Sequence, residues 1–165
     1  MRGTTVAELL VKRLVGLGKS CSQFHDLYDD MRNKRVEVKF SLAQKANETK
    51  ITERTVLKCI EEATGANRML AFTDWRRAQF DCNIQQLKRT EFDILYYGLF
   101  YYDCVQFFRI RSEDIGSQIC YSDKQHKGNV GEGQFHINQD TLQVHLDRYL
   151  YKQLTYDELV ELLTE

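Results

Sequence analysis

The segment 35–41 contains the residues best suited to chemistry, Glu37 and Lys39, which are separated only by Val38. Apolar and polar residues alternate along this segment, a pattern typical of a β-strand with one face in the core. Side chains two positions apart on a strand point to the same face, so we expect the Glu37 carboxylate and the Lys39 ammonium side by side. Such a pair can bind a divalent cation and orient or activate a water molecule.

A second carboxylate, Asp26, lies in the segment 22–28, which we expect to form a β-hairpin with the strand that carries Glu37. Hairpin pairing would bring the two carboxylates together. Two carboxylates on neighbouring strands are hard oxygen ligands, which suit Mg²⁺ with several bound waters, and Mn²⁺ is expected to substitute. Asp29 and Asp30 in the following turn compete for this role, and we favour Asp26.

Phosphodiester hydrolysis needs the groups that this arrangement would supply. The reaction requires a positioned water and stabilisation of the charge that develops on the phosphate. A Mg²⁺ ion held by Asp26 and Glu37 would lower the pKa of a bound water and polarise the phosphate. Lys39 would hold or activate the water, or offset the developing negative charge.

The periodicity of the chain predicts one α/β (α+β) domain over residues 1–165, with a mixed central sheet flanked by helices. The helical C-terminus should include a capping box formed by Thr155 and Glu158. We expect helices over 4–17, about 52–64, 142–150 and 156–163, strands over 22–28, 35–41, 92–100 and 105–110, and leave 80–88 as either strand or helix.

The segment 122–136 is predicted to be a long polar loop with a function in binding, although an ordinary surface loop is the alternative. Its side chains are of the types that read base edges, and its glycines permit close backbone approach. Lys88, at the end of another predicted strand, belongs to a group of basic residues suited to phosphate contacts. The expected DNA-binding residues of the loop are Lys124, Gln125, His126, Lys127, Asn129 and Gln134.

The composition is that of an ordinary globular domain: 42% of the 165 residues are hydrophobic and 28% are charged. The net charge of −1 does not by itself indicate a nucleic-acid-binding protein, so any such function depends on local patches. The sequence contains neither an apolar run long enough to span a membrane nor a recognisable secretion signal, so we expect a cytoplasmic protein. Five cysteines without paired spacing predict reduced thiols rather than a zinc site.

The order Asp26, then Glu37-Val38-Lys39, resembles the PD-(D/E)XK nuclease superfamily, which includes the type II restriction endonucleases. In that family a helix carrying a glutamate, here Glu8, often precedes a glycine, here Gly18, and the aspartate strand. The segments 85–88 and 92–95 look like the third core strand and its neighbour, so the resemblance covers residues 4–110. The sequence departs from the family pattern in lacking a proline before Asp26.

The resemblance implies a restriction-endonuclease-like fold and a Mg²⁺-dependent, site-specific double-strand DNA endonuclease. It assigns Asp26, Glu37 and Lys39 to the catalytic site. Glu8 would join them through water, would close a capping box with Thr5, or would do both. Either Gln85 or Gln86 would face the catalytic side, and the sequence leaves open which one.

The resemblance also implies partners. One chain has one active site, so cleavage of both strands would require a homodimer or a larger partner subunit. Two other functions stay open at this point. One is a repair or recombination nuclease of the same fold, such as a mismatch nickase or junction resolvase. The other is a non-catalytic DNA- or protein-binding module, because a fold alone does not establish activity.

Overall fold

The computed structural model describes residues 3–46, 49–124 and 130–164. The helices of this part of the chain are α1 (Gly3–Val15), α2 (Val56–Glu62), α3 (Gly65–Arg68), α4 (Leu142–Tyr149) and α5 (Tyr156–Thr164). The strands are β1 (Gly18–Lys19), β2 (Leu27–Asp29), β3 (Lys34–Leu42), β4 (Asp81–Leu87), β5 (Ile94–Phe100), β6 (Cys104–Arg111), β7 (Ser122–Lys124), β8 (Val130–Asn138) and β9 (Leu150–Thr155). None of the helices in these residues is long and apolar enough to cross a membrane.

Six strands form a large mixed sheet in the order β1-β2-β3-β5-β6-β9. β3 and β5 run parallel, whereas the other neighbouring strands run antiparallel. Six of the seven residues of β5 are buried, as expected for a central strand covered on both faces. The α+β architecture with a mixed sheet flanked by helices, as predicted from the sequence, is therefore confirmed.

Three further strands form a second sheet in the order β4-β8-β7, which the sequence analysis did not anticipate. β4 pairs with β8, so the prediction that 85–88 belongs to the third strand of the main sheet is wrong; β5 takes that place beside β3. The predicted loop 122–136 is wrong over 122–124 and 130–136, which are strand residues. Phe135 and Ile137 alternate into the core there, whereas the predicted contacts Gln125, His126, Lys127 and Asn129 lie outside the described residues.

Several element bounds differ from the prediction. The strand expected over 22–28 is limited to the three residues of β2, and the helix expected over 52–64 is shorter, with a second helix beginning at Gly65. The C-terminus is helical only in part, because β9 separates α4 from α5 and adds an edge strand to the large sheet. The predicted capping box is confirmed: the Thr155 backbone N–H donates to Glu158 Oε2 at 2.7 Å, and the Glu158 N–H donates to Thr155 Oγ1 at 3.3 Å.

Two apolar cores hold the layers together. One lies between the large sheet and the second sheet, and it includes Tyr97, Phe108 and Phe135; the other lies between the large sheet and the helices α1 and α5. In the first core His145 of α4 bonds to the Tyr97 hydroxyl at 2.8 Å, and burial lowers the pKa of His145 to about 4. His145 is thus a neutral core residue.

Gly98 of β5 lies where the backbone and an aromatic ring of the large sheet leave no room for a side chain. A Cβ atom there would overlap the backbone oxygen of Gln106 and the ring of Phe40, the residue that follows Lys39. We expect Gly98→Ala to lower the free energy of unfolding by about 2–4 kcal/mol in urea denaturation, because backbone and an aromatic ring must both shift. Gly65→Ala is the matched control: an added Cβ there meets nothing within 4 Å. A Gly98→Ala variant as stable as this control would contradict the packing argument.

Candidate active site

The main chain of β3 holds Asp26 opposite Glu37. The antiparallel register of β2 and β3 pairs Leu27 with Val36, so the residue before β2 lies across from Glu37. The Asp26 N–H donates to the Val36 carbonyl at 3.1 Å, and the Val38 N–H donates to Asp26 Oδ2 at 2.8 Å. These two bonds place the Asp26 carboxylate over the strand that carries Glu37 and Lys39.

Glu37 and Lys39 form an ion pair on one face of β3, in which Lys39 Nζ donates to Glu37 Oε1. Only 12% of the Glu37 side chain and 22% of the Lys39 side chain are exposed. The intervening Val38 and the preceding Val36 are fully buried on the opposite face, in the core shared with α1. The alternation of the sequence is therefore what directs the two charged side chains together.

Burial makes the Glu37 carboxyl a weaker acid than a glutamate in water. Loss of water contact raises the pKa of Glu37 to about 6; the Lys39 ammonium acts against this shift, and the negative charge of Asp26 adds to it. The charged form of Glu37 is thus disfavoured unless positive charge is present nearby. A perturbed carboxylate with a charged neighbour in a concave site is a feature of functional sites.

Glu8 of α1 lies close enough to sense the same charges. Burial and the Asp26 carboxylate raise the pKa of Glu8, and Lys39 lowers it. The alternative role in a capping box with Thr5 is wrong, because Thr5 lies within α1 rather than at its N-cap. The charges of Asp26 and Lys39 both act on Glu8, and its role at the site stays a prediction.

The two competing aspartates have other surroundings. Asp29 is buried on the opposite side of β2 from Asp26, where it accepts from the Arg32 N–H at 3.0 Å and pairs with Arg32 Nη1 at 2.9 Å. The bond from the Arg32 side chain lowers the pKa of Asp29. Asp30 lies against Gly18, where a Cβ would come within 2.7 Å of Asp30 Oδ2. Of the three aspartates, only Asp26 lies at Glu37.

Asp26, Glu37 and Lys39 open into a concavity of about 330 Å³ between the large sheet and the second sheet. We call it the acidic pocket. Its lining residues are Gln23, Phe24, His25, Asp26, Glu37, Lys39, Gln86, Lys88, Glu91, Phe92 and Glu132. Lys88 lines the pocket, whereas Lys124 and Gln134 do not, and the role of Lys88 as a DNA contact stays a prediction.

A β-bulge selects Gln86 rather than Gln85 for the pocket. The register of β4 against β8 shifts between Ile84 and Leu87, which are both buried although three positions apart. The extra residue is accommodated by Gln86 in the left-handed conformation, with φ of 60°. Gln86 thereby lines the pocket, while Asn83 Nδ2 donates to Gln85 Oε1 at 3.5 Å.

Two carboxylates of the pocket, Glu91 and Glu132, were not predicted. The negative charge of Glu91 contributes to the raised pKa of Glu37, and Glu91 pairs with Lys88 at 3.7 Å. Glu132 belongs to β8, which the sequence analysis took for a loop. Strand alternation places Glu132 on the face of β8 opposite the buried Phe135. The glycines on either side of Glu132 favoured a loop prediction instead.

Gln134 and Lys124, two predicted DNA-binding residues, take part in hydrogen bonds within the second sheet. Gln134 accepts a hydrogen bond from Asn83 Nδ2 at 2.9 Å and donates to the Lys124 carbonyl at 3.4 Å. Lys124 itself is exposed at the end of β7. These two side chains lie on the sheet that faces the pocket, without taking part in its lining.

Asp26 and Glu37 are the carboxylates of the pocket that could hold a metal ion. Among residues 3–46, 49–124 and 130–164, no group of three or more Asp, Glu, His or Cys side chains is arranged to hold a metal ion. Asp26 and Glu37 each use one oxygen as acceptor, for the Val38 N–H and for Lys39 Nζ, so the other oxygen of each is left for a ligand. Mg²⁺ is commonly bound by one or two carboxylates together with waters and substrate phosphate.

Comparison with known proteins adds no relative. No protein-family model, no curated protein and no solved structure matches this chain. The chemistry of the pocket therefore has to be argued from its own residues.

Proposed function

We propose that the protein is a Mg²⁺-dependent, site-specific endonuclease that hydrolyses phosphodiester bonds of double-stranded DNA, with a restriction-endonuclease-like fold of the type II kind. One observation carries the proposal. The carboxylate of Asp26 is held opposite Glu37, and Lys39 is ion-paired on the same face, within a single polar pocket. These are the residues that hydrolysis of a phosphate diester requires.

Asp26 and Glu37 would hold the metal ion, which when bound polarises the phosphate and lowers the pKa of water. Lys39 offsets negative charge at the site. Its ammonium keeps Glu37 ionised and is positioned to donate a hydrogen bond to the attacking water or to a phosphate oxygen as negative charge develops. The water oxygen forms a bond to phosphorus, one ester P–O bond breaks, and the departing sugar oxygen leaves as an alcohol.

Other pocket residues would hold the substrate. Gln86 and Lys88 approach from the second sheet and from the segment after it, where an amide and an ammonium can bind phosphate oxygens or base edges. Glu8, whose pKa is raised by burial and by Asp26, would accept a hydrogen bond from water on the side of α1. Cleavage of both strands requires a second such pocket, from a second copy of the chain or from a larger partner subunit.

A comparison of the same substitution at two aspartates tests the proposal. We expect Asp26→Asn to lower the Mg²⁺-dependent rate of plasmid cleavage by more than about 100-fold, since loss of residues that merely support metal ligands already costs about 10- to 100-fold. Asn keeps the acceptor for the Val38 N–H, so the hairpin should persist.

Asp30→Asn is the matched control. Asp30 is exposed and lies beside Gly18, away from the acidic pocket, so cleavage by this variant should stay within about twofold of the wild type. Equal rates for Asp26→Asn and the wild type would contradict the proposed site. A rate that falls in Asp30→Asn instead would move the metal site to the turn.

A further inference from the structure

A second, larger concavity adjoins the acidic pocket. It has a volume of about 600 Å³ and lies at the amino ends of β3 and β5 and the carboxyl end of β6. We call it the basic cleft. Its cationic lining residues are Arg32, Lys34, Arg35, Arg89, Arg109 and Arg111. They outnumber the three carboxylates of the lining, Asp93, Glu113 and Asp123, although the whole chain has a net charge of −1. The cleft is thus a local concentration of positive charge.

Half of these cations are neutralised by ion pairs within the protein. Arg32 pairs with Asp29 at 2.9 Å, and Arg35 pairs with Asp93 at 2.9 Å. Arg111 pairs with two carboxylates of the segment that follows β6, the nearer atoms lying 2.7 Å apart.

The other half form no ion pair in the part of the chain that the structure describes: Lys34, Arg89 and Arg109. Of these, Lys34 lies near enough to Asp93 for its charge to lower the pKa of that carboxyl. Arg89 lies over the ring of Tyr121, with its guanidinium carbon 5.3 Å from the ring centre, so its aliphatic stem is supported while its charge stays available. Arg109 is exposed on β6. These three cations around one concavity form a site for a ligand with several negative charges.

The basic cleft and the acidic pocket are joined. A shallower concavity of about 300 Å³ shares Phe24, His25 and Glu91 with the acidic pocket, and it shares Arg35 and Thr90 with the basic cleft. The Arg35 guanidinium stabilises this junction, because it donates to the Thr90 carbonyl at 2.9 Å as well as to Asp93. One continuous trough therefore runs from Glu37 to the unpaired cations.

The spacing along β3 suits a nucleic-acid strand. Arg35 and Glu37 lie two positions apart on the same face, which corresponds to about 7 Å of strand length. The basic cleft therefore begins close enough to Glu37 for one DNA strand to lie along both concavities.

We propose that the basic cleft binds backbone phosphates of the DNA strand that enters the acidic pocket. The identity of the ligand as DNA rests on the proposed function, whereas the preference for a polyanion rests on the charges of the cleft. Phosphate contacts carry no sequence information, so the cleft determines affinity and register rather than the recognised sequence.

The test is DNA binding by a variant that lacks two of the unpaired cations, Arg89→Ala/Arg109→Ala. A fluorescent duplex is titrated in Ca²⁺ instead of Mg²⁺, so that hydrolysis does not interfere, and the dissociation constant is measured at several salt concentrations. Each lost phosphate contact should reduce the slope of log affinity against log salt by about 0.9, hence by about 1.8 for both. At ~0.1 M salt the same loss weakens binding by about 60-fold.

Arg13→Ala/Arg148→Ala is the matched control. It removes the same two charges from exposed positions of α1 and α4, outside the trough. We expect its salt slope to equal that of the wild type. If the test variant does not fold, Arg109→Ala alone should still reduce the slope by about 0.9, because this residue has no ion-pair partner among the described residues.

The possible outcomes distinguish DNA binding by the basic cleft from the proposed endonuclease activity. A reduced slope in a protein that cleaves nothing in Mg²⁺ would support the basic cleft and contradict the proposed enzyme. Normal cleavage together with an unchanged salt slope in the test variant would overturn the cleft and leave the enzyme intact. An equal reduction in the test variant and the control would also overturn it, since the effect would then be one of net charge alone.

Discussion

Lys39→Met is expected to reduce the single-turnover rate of Mg²⁺-dependent DNA cleavage by about 100- to 1,000-fold or more, while DNA binding in Ca²⁺ stays within about threefold of the wild type. Methionine keeps the apolar stem of the side chain, which is 22% exposed in the native protein. The substitution removes only the ammonium that pairs with Glu37 and that is available to the attacking water or to the phosphate. The loss should therefore appear in the rate and not in affinity.

Lys12→Met provides the comparison for this variant. Lys12 is an exposed residue near the end of α1, so the same chemical change is made away from the acidic pocket. Its cleavage rate should match that of the wild type. Wild-type cleavage by Lys39→Met would refute the proposed role of the ammonium group.

Glu37→Gln is expected to abolish cleavage and, at neutral pH, to raise the stability of the protein. Burial raises the pKa of Glu37 to about 6 in the folded protein, above the ordinary value of 4.5 for a glutamate. Such a group favours folding fully below the unfolded-state pKa, and this contribution is lost as pH rises through the folded-state value. The difference of about 1.5 pKa units corresponds to up to about 2 kcal/mol by pH ~7.

Glutamine avoids the burial of a charge while it retains an acceptor for Lys39. Urea denaturation should therefore show equal stability of variant and wild type near pH ~4, and a gain of about 1–2 kcal/mol for the variant near pH ~7. Glu161→Gln on the exposed face of α5 should change stability by less than about 0.5 kcal/mol at both pH values. A Glu37→Gln protein that is less stable than the wild type at pH ~7 would mean that the ion pair with Lys39 outweighs the burial of Glu37.

The hairpin of β2 and β3 was predictable because the residues that specify it lie close together in the sequence. Alternation over 35–41 set the face of Glu37 and Lys39, and the short turn to Asp26 limited the possible registers of the hairpin. The sequence could not separate Asp26 from Asp29, since the difference between them is the face of β2 and a bond to Arg32. That bond depends on the geometry of the turn, which composition does not specify.

The second sheet was not predictable in the same way. β4 and β8 are far apart in the chain, so no local pattern indicates that they pair. The placement of Gln86 depends on a β-bulge, and that of Glu132 depends on the pairing itself. The Glu132 carboxylate thus reaches the acidic pocket through a tertiary arrangement. Glycines around it favoured a loop prediction, although the alternating Phe135 and Ile137 were a strand signal.

The edge strand β9 was missed for a related reason. Of its six residues only Leu154 is buried, so its sequence lacks the alternation that identifies a half-buried strand. It forms because β6 presents an unpaired edge that accepts it, from Cys104 to Phe108. Because β9 depends on its pairing with β6 rather than on a pattern in its own residues, it could not be predicted from the sequence.

Quantification of supercoiled, nicked and linear plasmid tests the central claim most directly. The wild-type protein is incubated with plasmid in Mg²⁺, in Mn²⁺ and in excess EDTA, beside the Lys39→Met variant. We expect supercoiled plasmid to be converted by the wild type with either metal, to discrete linear products if two pockets act together, and to persist in EDTA and with Lys39→Met. Supercoiled plasmid that persists in both metals with folded wild-type protein in large excess, or conversion that EDTA does not prevent, would contradict the assignment of Asp26, Glu37 and Lys39 as a metal-dependent nuclease site.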